Sequence, residues 1–188
     1  MRKIWGACLL ASSLLLPASR ALADSYSDTT SLFKNARQSS SFFSSSYGYA
    51  VFPTIGKGGI GIGGAYGEGN VYKEGKYVGN SSVTQLSIGL QLGGQAYSEM
   101  IFFQDKRAFD EFTSGNFSFS GNVSAVAITA GASASAGTDA STASASGGKK
   151  DAATAGAYHK GMAVFTIAKG GLMYEISVSG QKFSYKAK

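Results

Sequence analysis

Three glutamates lie in strand-like sequence and are the side chains best suited to acid–base chemistry: Glu68, Glu99 and Glu175. Two carboxyl groups that flank a glycosidic bond can hydrolyse it, one as the acid and the other as base or nucleophile. Glu99 shares its predicted strand face with Gln95 and Tyr97, which indicates a solvent-facing position rather than a pocket that tunes its pKa. We therefore expect no enzyme activity from these residues.

A single histidine and a glycine-rich run are the other patterns that could support catalysis or cofactor binding. His159 is the only histidine, so a metal site built from paired imidazoles is excluded. No G-x-S-x-G turn accompanies it to present a nucleophile, and we expect a strand-end residue. Residues 59–64 have the G-x-G-x-x-G spacing of a dinucleotide site, but strand-like alternation continues where that site needs a helix. The sequence predicts no cofactor and no metal. The glycines instead predict a strand with one bare face, against which a backbone, a helix or an acyl chain can lie closely.

Lys57 and Lys169 occupy equivalent positions in a repeated segment. Residues 163–172 match residues 50–60 once Pro53 is skipped, through the shared elements Ala-Val-Phe, Thr-Ile and Lys-Gly-Gly. This ordered match indicates two related strand-turn-strand units. Turns before each Gly-Gly would hold both ammonium groups at one rim, where they predict contact with an anionic headgroup. A solvated turn lysine is the alternative.

The first 23 residues have the layout of a secretory signal peptide. A basic start at Arg2 and Lys3 precedes an apolar run over residues 4–16 and the small-residue triplet at 21–23. The run is shorter than the roughly 18 to 20 residues that a helix needs to span a bilayer. We expect cleavage between Ala23 and Asp24 and an exported protein, periplasmic or otherwise associated with a bacterial cell envelope.

Removal of residues 1–23 changes the charge and the redox chemistry of the exported protein. Three of the 17 basic residues and the only cysteine, Cys8, leave with this segment and no acidic residue does, so the net charge falls from +6 to +3. A weakly basic domain is compatible with anionic membrane surfaces but lacks the dense Lys/Arg stripe typical of nucleic-acid binding. We expect no nucleic-acid partner and no disulfide bond.

An amphipathic helix is predicted near the new N-terminus. Apolar side chains recur there at near-helical spacing: Leu32, Phe33, Ala36 and Phe43. Lys34 and Arg37 lie on the other side of this predicted helix, which covers residues 27–43. The serine runs that follow have poor helix propensity and predict a frayed end or a linker.

From residue 47 onward the period of the hydrophobic pattern changes to two. Alternation at residues 59–63, continuing through Tyr66 and Val71, and again at 85–92 predicts half-buried strands. A short helix is predicted between strands, with Asp105 as its cap and Gly115 as its stop. Residues 131–156, rich in Ala, Ser, Thr and Gly, predict a mobile loop.

These elements predict an α+β fold: an antiparallel twisted sheet or a partly closed barrel, with an N-terminal helix and one short internal helix. Residues 24–46 would form the helix and serine-rich linker, and residues 47–188 a single β-rich domain, for which the length left after cleavage is sufficient.

Four strings of sequence together resemble the SYLF domain family: residues 48–64, 89–99, 158–165 and 169–173. The resemblance extends from about residue 27 to residue 188. It implies a lipid-binding domain without catalysis, because eukaryotic relatives bind phosphoinositides and, in the yeast branch, actin, while bacterial relatives are exported proteins or lipoproteins. The serine-rich, weakly basic first helix and the long segment 131–156 depart from the eukaryotic pattern, so neither phosphoinositide selectivity nor actin binding is expected.

The sequence therefore predicts a non-enzymatic protein that binds phospholipid at an anionic membrane surface of the envelope. In this hypothesis Leu32, Phe33 and Phe43 enter the membrane interface, while a set of basic residues meets the lipid phosphates: Lys34, Arg37, Lys57 and Lys169. Two alternatives stay open, an integral outer-membrane β-barrel and a periplasmic protein-interaction module with an envelope protein as its partner.

Overall fold

The structure is a computed structural model that describes residues 18–60, 62–88, 95–119, 125–128, 158–169 and 178–188. Its helices are α1 (Ala18–Asn35), α2 (Phe42–Ser45) and α3 (Lys106–Phe112). Its strands are β1 (Gly48–Ile60), β2 (Ile62–Lys73), β3 (Lys76–Ile88), β4 (Gln95–Phe103), β5 (Asn116–Ser118), β6 (Val126–Ile128), β7 (Met162–Lys169) and β8 (Gln181–Ala187).

All eight described strands form one sheet, in the order β5-β8-β3-β2-β1-β4-β7-β6. Neighbouring strands are antiparallel except β6 and β7, which pair in parallel. The predicted α+β class is confirmed, whereas a purely antiparallel sheet is wrong at this one pair. The sheet is not closed, because β5 and β6 each pair with only one described strand.

The glycine-rich run does not form one continuous strand. β1 ends at Ile60, β2 begins at Ile62, and the two pair antiparallel with these residues opposite each other. The prediction that one strand continues through Tyr66 is therefore wrong, because the chain reverses within the run. No helix follows the glycines, which agrees with the rejection of a dinucleotide site.

The sheet curls strongly about its long strands. β8 and β4 are four strand spacings apart in the sheet order, about 19 Å in a flat sheet. Gln181 Nε2 on β8 nevertheless donates to Glu99 Oε2 on β4 over 2.8 Å. The rings of Phe52 and Phe183, on β1 and β8, lie 5.6 Å apart. The strands therefore enclose a concave side, called here the inner face, and present a convex outer face.

Each face has its own hydrophobic core. The inner core contains Phe52, Ile101 and Phe183 and is covered by α3, which contributes Phe109 and Phe112. The α3 prediction is confirmed, since the Asp105 carboxylate accepts a hydrogen bond from Ala108 N at 2.8 Å as an N-terminal cap. The outer core lies beneath α1 and α2 and includes Phe33, Val51 and Phe102.

The repeated segment corresponds to β1 and β7, which lie on either side of β4. The register of β1 shifts against both neighbours between residues 51 and 55. Pro53, the residue that must be skipped to align the repeats, lies within this β-bulge, where a missing N–H is tolerated. The extra residue of one repeat is thus a structural feature of β1.

The predicted N-terminal helix exists with different bounds. α1 ends at Asn35, residues 36–41 form turns, and the short α2 contains Phe42 and Phe43. A helix continuing to residue 43 is therefore wrong, as the high serine content of this stretch explains. α1 passes through the predicted cleavage position between Ala23 and Asp24.

Two predicted segments lie outside the described residues: most of the signal peptide, residues 1–17, and the loop at 131–156. Within the described part of the chain, every helix is too short or too polar to cross a membrane.

Candidate functional site

A row of laterally paired residues crosses the outer face near the β1–β2 reversal. Paired residues of antiparallel strands point to the same side of a sheet, so register alone defines the row. From β7 to β8 it reads Lys169, Ala96, Gly56, Tyr66, Thr84 and Lys182. A lysine therefore stands at each end of a row that has small residues and one tyrosine between them.

The next row toward the reversal consists of Gly58, Gly64 and Leu86. Leu86 is 83% exposed, and Tyr66 beside it is 54% exposed. A Cβ built on Gly56 or Gly58 would meet nothing within 4 Å. We call this surface, from Lys169 to Lys182 together with Gly58, Gly64 and Leu86, the exposed patch. This open surface is not the bare face predicted from residues 59–64, because Gly59 pairs with Gly63 one residue further along and both therefore point to the opposite side of the sheet.

The burial of β3 was not predictable from its alternation. The pattern at 85–92 predicts a half-buried strand. The first residues of this segment belong to β3, where the polar Gln85 is buried and the apolar Leu86 is exposed. Gln85 Nε2 donates to Ser179 O at 2.8 Å, and Val83 on the same side pairs with Phe183 in the inner core. The inward contacts of Val83 and Gln85 determine which side of β3 is buried. Leu86 lies on the opposite side and is therefore exposed.

Of the apolar residues predicted to enter a membrane interface, only Leu32 is free to do so in this conformation. It is 46% exposed on α1. Phe33 is fully buried in the outer core, and this contradicts its predicted exposure to lipid. Phe43 is half-buried, with its ring 5.4 Å from that of Tyr49 and 4.9 Å from that of Phe102. Both phenylalanines attach the N-terminal segment to the sheet.

The predicted basic residues do not come together. Lys34 and Arg37 are exposed at the C-terminal end of α1 and just beyond it. Lys57 and Lys169 lie at the same end of the sheet, but Lys57 is one residue beyond the Gly56–Ala96–Lys169 row and therefore points to the inner face. Both belong to strands, so a shared rim of turn lysines is wrong. Lys169 Nζ donates to Thr54 Oγ1 at 2.8 Å on the outer face.

A buried polar cluster occupies the inner face, and its centre is Glu99. This side chain is fully buried, so the predicted solvent-facing position is wrong. Gln181 Nε2 donates to Glu99 Oε2 at 2.8 Å and to the Tyr97 hydroxyl at 3.1 Å. Within this cluster of described residues three further oxygens are buried without a hydrogen-bond partner: Glu99 Oε1, Gln181 Oε1 and Thr166 Oγ1.

Desolvation dominates the ionisation of this cluster. Burial raises the pKa of Glu99 from 4.5 to about 8, and the hydrogen bond from Gln181 offsets only part of that effect. Burial, with a smaller contribution from Glu99, raises the pKa of the Tyr97 hydroxyl far above its ordinary value. Both shifts favour the protonated, uncharged form of the cluster, which links β4 to β8.

The two described glutamates considered for hydrolysis, Glu68 and Glu99, do not form a pair. Glu68 lies on the outer face, where Tyr66 donates to it at 2.9 Å, whereas Glu99 lies on the inner face. The sheet therefore separates these two carboxyl groups, and Glu175 lies outside the described residues. His159 forms an isolated β-bridge with Met162, which confirms a strand-end position.

The exposed tyrosine, the exposed leucine and the second lysine of the patch were not among the predicted site residues: Tyr66, Leu86 and Lys182. These residues are brought together by the register between β2, β3 and β8, not by their spacing along the chain. Only a pairing prediction anchored at the glycine-rich reversal could have brought them together.

Comparison with known proteins supports the resemblance found in the sequence. The family model Ysc84, described as "Las17-binding protein actin regulator", matches residues 84–188, more than half of the chain. The chain is also 28% identical over 156 residues to Beta cell expansion factor A from Aeromonas veronii. That match covers 81% of this chain and 51% of the relative, so the chain spans about half the length of the curated protein that it matches. On the extent of the family match, the chain belongs to the Ysc84/SYLF family.

Proposed function

We propose that this chain is an exported, non-enzymatic protein that binds phospholipid at a membrane surface of the cell envelope, and that the exposed patch is its contact with the bilayer. The observation that carries the proposal is Leu86, a large apolar side chain 83% exposed beside open glycines, in a patch with a lysine on each side. Contiguous exposed apolar surface rimmed by polar residues marks interaction sites, and here Leu86 and the exposed Tyr66 are neighbours in that surface.

The patch has the chemistry of a shallow membrane contact. Leu86 would enter the acyl boundary, where full burial of a leucine side chain is worth about 1.5 to 3 kcal/mol. Tyr66 would lie at the headgroup level, which tyrosine favours because its ring is apolar and its hydroxyl polar. Lys169 and Lys182 would meet lipid phosphates at about 1 kcal/mol each. Together these terms support reversible binding that depends on anionic lipid.

The open glycines have a defined part in this proposal. At Gly56 and Gly58 the outer face of β1 has no side chain, so an acyl chain or headgroup can approach the backbone directly at these two positions. Leu32 on α1 is a second exposed apolar residue, but it lies on a helix whose neighbouring residue Phe33 is held in the outer core. We assign the main insertion to Leu86 rather than to the helix.

Family membership supports a binding role and leaves the ligand to experiment. The family is described by actin regulation and Las17 binding. We do not propose actin as a partner, because an exported protein does not meet it. The proposal of export is supported by the layout of residues 1–23. Mass spectrometry of protein from the envelope fraction tests it: the mature chain should begin at Asp24, and a retained Met1 would refute cleavage.

The lipid proposal is tested by co-sedimentation of purified protein with vesicles of phosphatidylcholine, with and without phosphatidylglycerol. Leu86→Ser should weaken the apparent affinity for the vesicles about tenfold, because it removes most of the leucine side chain that the bilayer would bury. Leu32→Ser is the matched control, because it makes the same change at the exposed leucine of α1, and it should retain binding.

A second pair of variants tests the charges. Lys169→Glu combined with Lys182→Glu should abolish the dependence on phosphatidylglycerol. Lys76→Glu reverses an exposed lysine at the opposite end of the sheet and should change binding little. Equal loss with both sets would show that net charge rather than the patch determines binding, and would refute the assigned surface.

A further inference from the structure

A polar groove lies on the outer face between α1 and strands β2, β3 and β8. Its volume is about 370 Å³. Register sets two rows of side chains as its floor, Glu68–Ser82–Ser184 and Asn70–Asn80–Lys186. Tyr26, near the start of the described side chains of α1, forms one wall. The groove is adjacent to the exposed patch but shares none of its residues.

The side chains of the groove mix hydrogen-bond donors with acceptors, and several already have partners: Glu68 accepts from the Tyr66 hydroxyl and Asn80 Oδ1 accepts from the Tyr77 hydroxyl. Ser82 and Ser184 share one hydrogen bond at 2.7 Å. The described contacts give no hydrogen-bond partner to the side chains of Asn70 and Lys186. Burial, with a further contribution from Glu68, raises the pKa of Tyr26, so its hydroxyl keeps its proton and can donate. Amides, hydroxyls, one ammonium and one carboxylate therefore face one volume.

We propose that this groove binds an uncharged, polyhydroxylated ring, that is, a neutral saccharide unit. Each sugar hydroxyl both donates and accepts, so it pairs with amides, a carboxylate and an ammonium in the same site. The tyrosine ring of Tyr26 adds an apolar surface with a polar tip against which the ring face of a sugar can lie. This assignment rests on residues other than those of the exposed patch, although Glu68 of the groove accepts a hydrogen bond from Tyr66 of the patch.

The charges and the floor of the groove exclude two other ligand classes. Glu68 would repel a phosphate or carboxylate that approaches Lys186, so a free anion is disfavoured. An extended peptide binds an open strand edge or apolar pockets. Here the floor is centred on β3, whose two edges are already paired with β2 and β8, and its side chains are polar. A neutral saccharide uses both the donors and the acceptors that are present.

Binding is tested on the isotope-labelled protein by NMR titration with maltotriose and with triacetylchitotriose, two neutral trisaccharides. The proposal predicts saturable shifts, for at least one of them, confined to the outer-face residues of β2, β3 and β8 and to Tyr26. Asn70→Leu, which keeps the size of the side chain and removes its polar groups, should weaken binding by about tenfold. Asp110→Asn, an exposed change on α3, should leave the affinity unchanged.

Two further arms identify the source of the sugar and the rival ligands. Competition between a trisaccharide and vesicles containing monogalactosyldiacylglycerol would assign the same site to a glycolipid headgroup, while binding of the free trisaccharide alone would assign it to a soluble glycan.

Saturable shifts in the groove with inorganic phosphate or trialanine, and none with either trisaccharide, would overturn the proposal. Shifts that persist unchanged in Asn70→Leu would also overturn it. Binding of Asn70→Leu to vesicles of phosphatidylcholine and phosphatidylglycerol, which contain no glycolipid, should equal that of wild type, and this keeps the test separate from that of the exposed patch.

Discussion

Replacement of Glu99 by glutamine should change how the stability of this protein depends on pH. The carboxyl group is fully buried on the inner face, between Phe52 on β1 and Thr166 on β7, with Gln181 of β8 opposite it. Glutamine resembles the protonated acid in size and polarity but cannot ionise. The variant therefore keeps the contacts of the acid form and loses its titration.

The sign and size follow from the pKa of Glu99, which burial raises from 4.5 to about 8. Below pH 4.5 the folded and unfolded chains both carry this proton. As pH rises from 4.5 to about 8, the unfolded chain loses the proton while the folded chain keeps it, so ionisation favours unfolding. Each pH unit is worth about 1.36 kcal/mol, so the wild type loses about 5 kcal/mol from this group over the interval. Above that range the folded chain ionises too and the loss stops growing.

The assay is urea unfolding followed by circular dichroism, at about pH 5 and at about pH 8. The free energy of unfolding of Glu99→Gln relative to wild type should rise by several kcal/mol between the two, a large fraction of an ordinary domain stability of about 5 to 15 kcal/mol. Glu68→Gln, which alters an exposed carboxyl on the outer face, should follow the wild type. Parallel pH profiles for wild type and Glu99→Gln would refute the buried, neutral state of Glu99.

Three further changes test the packing and the helices. Gly69→Ala should destabilise the protein by about 1 to 3 kcal/mol, because the added Cβ would lie 2.5 Å from the Phe52 ring; an unchanged thermal midpoint would contradict this close approach. Phe33→Ala should cost about 3 to 5 kcal/mol in urea unfolding, since the ring is fully buried in the outer core, and a loss below 1 kcal/mol would place it at the surface instead. Asp105→Ala should cost about 1 kcal/mol through the loss of the α3 cap, and Asp105→Asn should restore most of it.

Local patterns were enough to predict the α+β class and the capped helix α3. The cap depends on residues close together in the chain: the Asp105 carboxylate reaches Ala108 N three residues away. The glycine pattern did not show which glycines share the open face, because that depends on where the chain reverses and on the register of β1 with β2. The end of α1 was less predictable because serine side chains compete with the backbone for hydrogen bonds, and Ser39 Oγ does donate to Phe33 O there.

The phase of burial could not be predicted in the same way. A period of two shows which residues share a strand face, but it does not show which face is inside. In β3 the buried side is decided by Val83 and Gln85, whose partners Phe183 and Ser179 lie about a hundred residues later in the chain. Leu86 is exposed for that reason.

Glu99 illustrates the same limit for a titratable group. Its burial depends on the curl of the sheet, which brings Gln181 to it from 82 residues away. Gln95 and Tyr97 on the same strand face indicated solvent because both can be exposed. Tyr97 is instead buried and bonded to the same glutamine. Sequence spacing contains no information about a contact between β4 and β8, which have three other strands between them in the sheet.

The comparison of Leu86→Ser with Leu32→Ser in vesicle co-sedimentation tests the proposed function most directly. The two variants make the same chemical change at two exposed leucines, one in the exposed patch and one on α1. If the patch is the membrane contact, Leu86→Ser binds phosphatidylglycerol vesicles about tenfold more weakly than wild type while Leu32→Ser binds as wild type does. Wild-type binding by a folded Leu86→Ser variant would contradict the account.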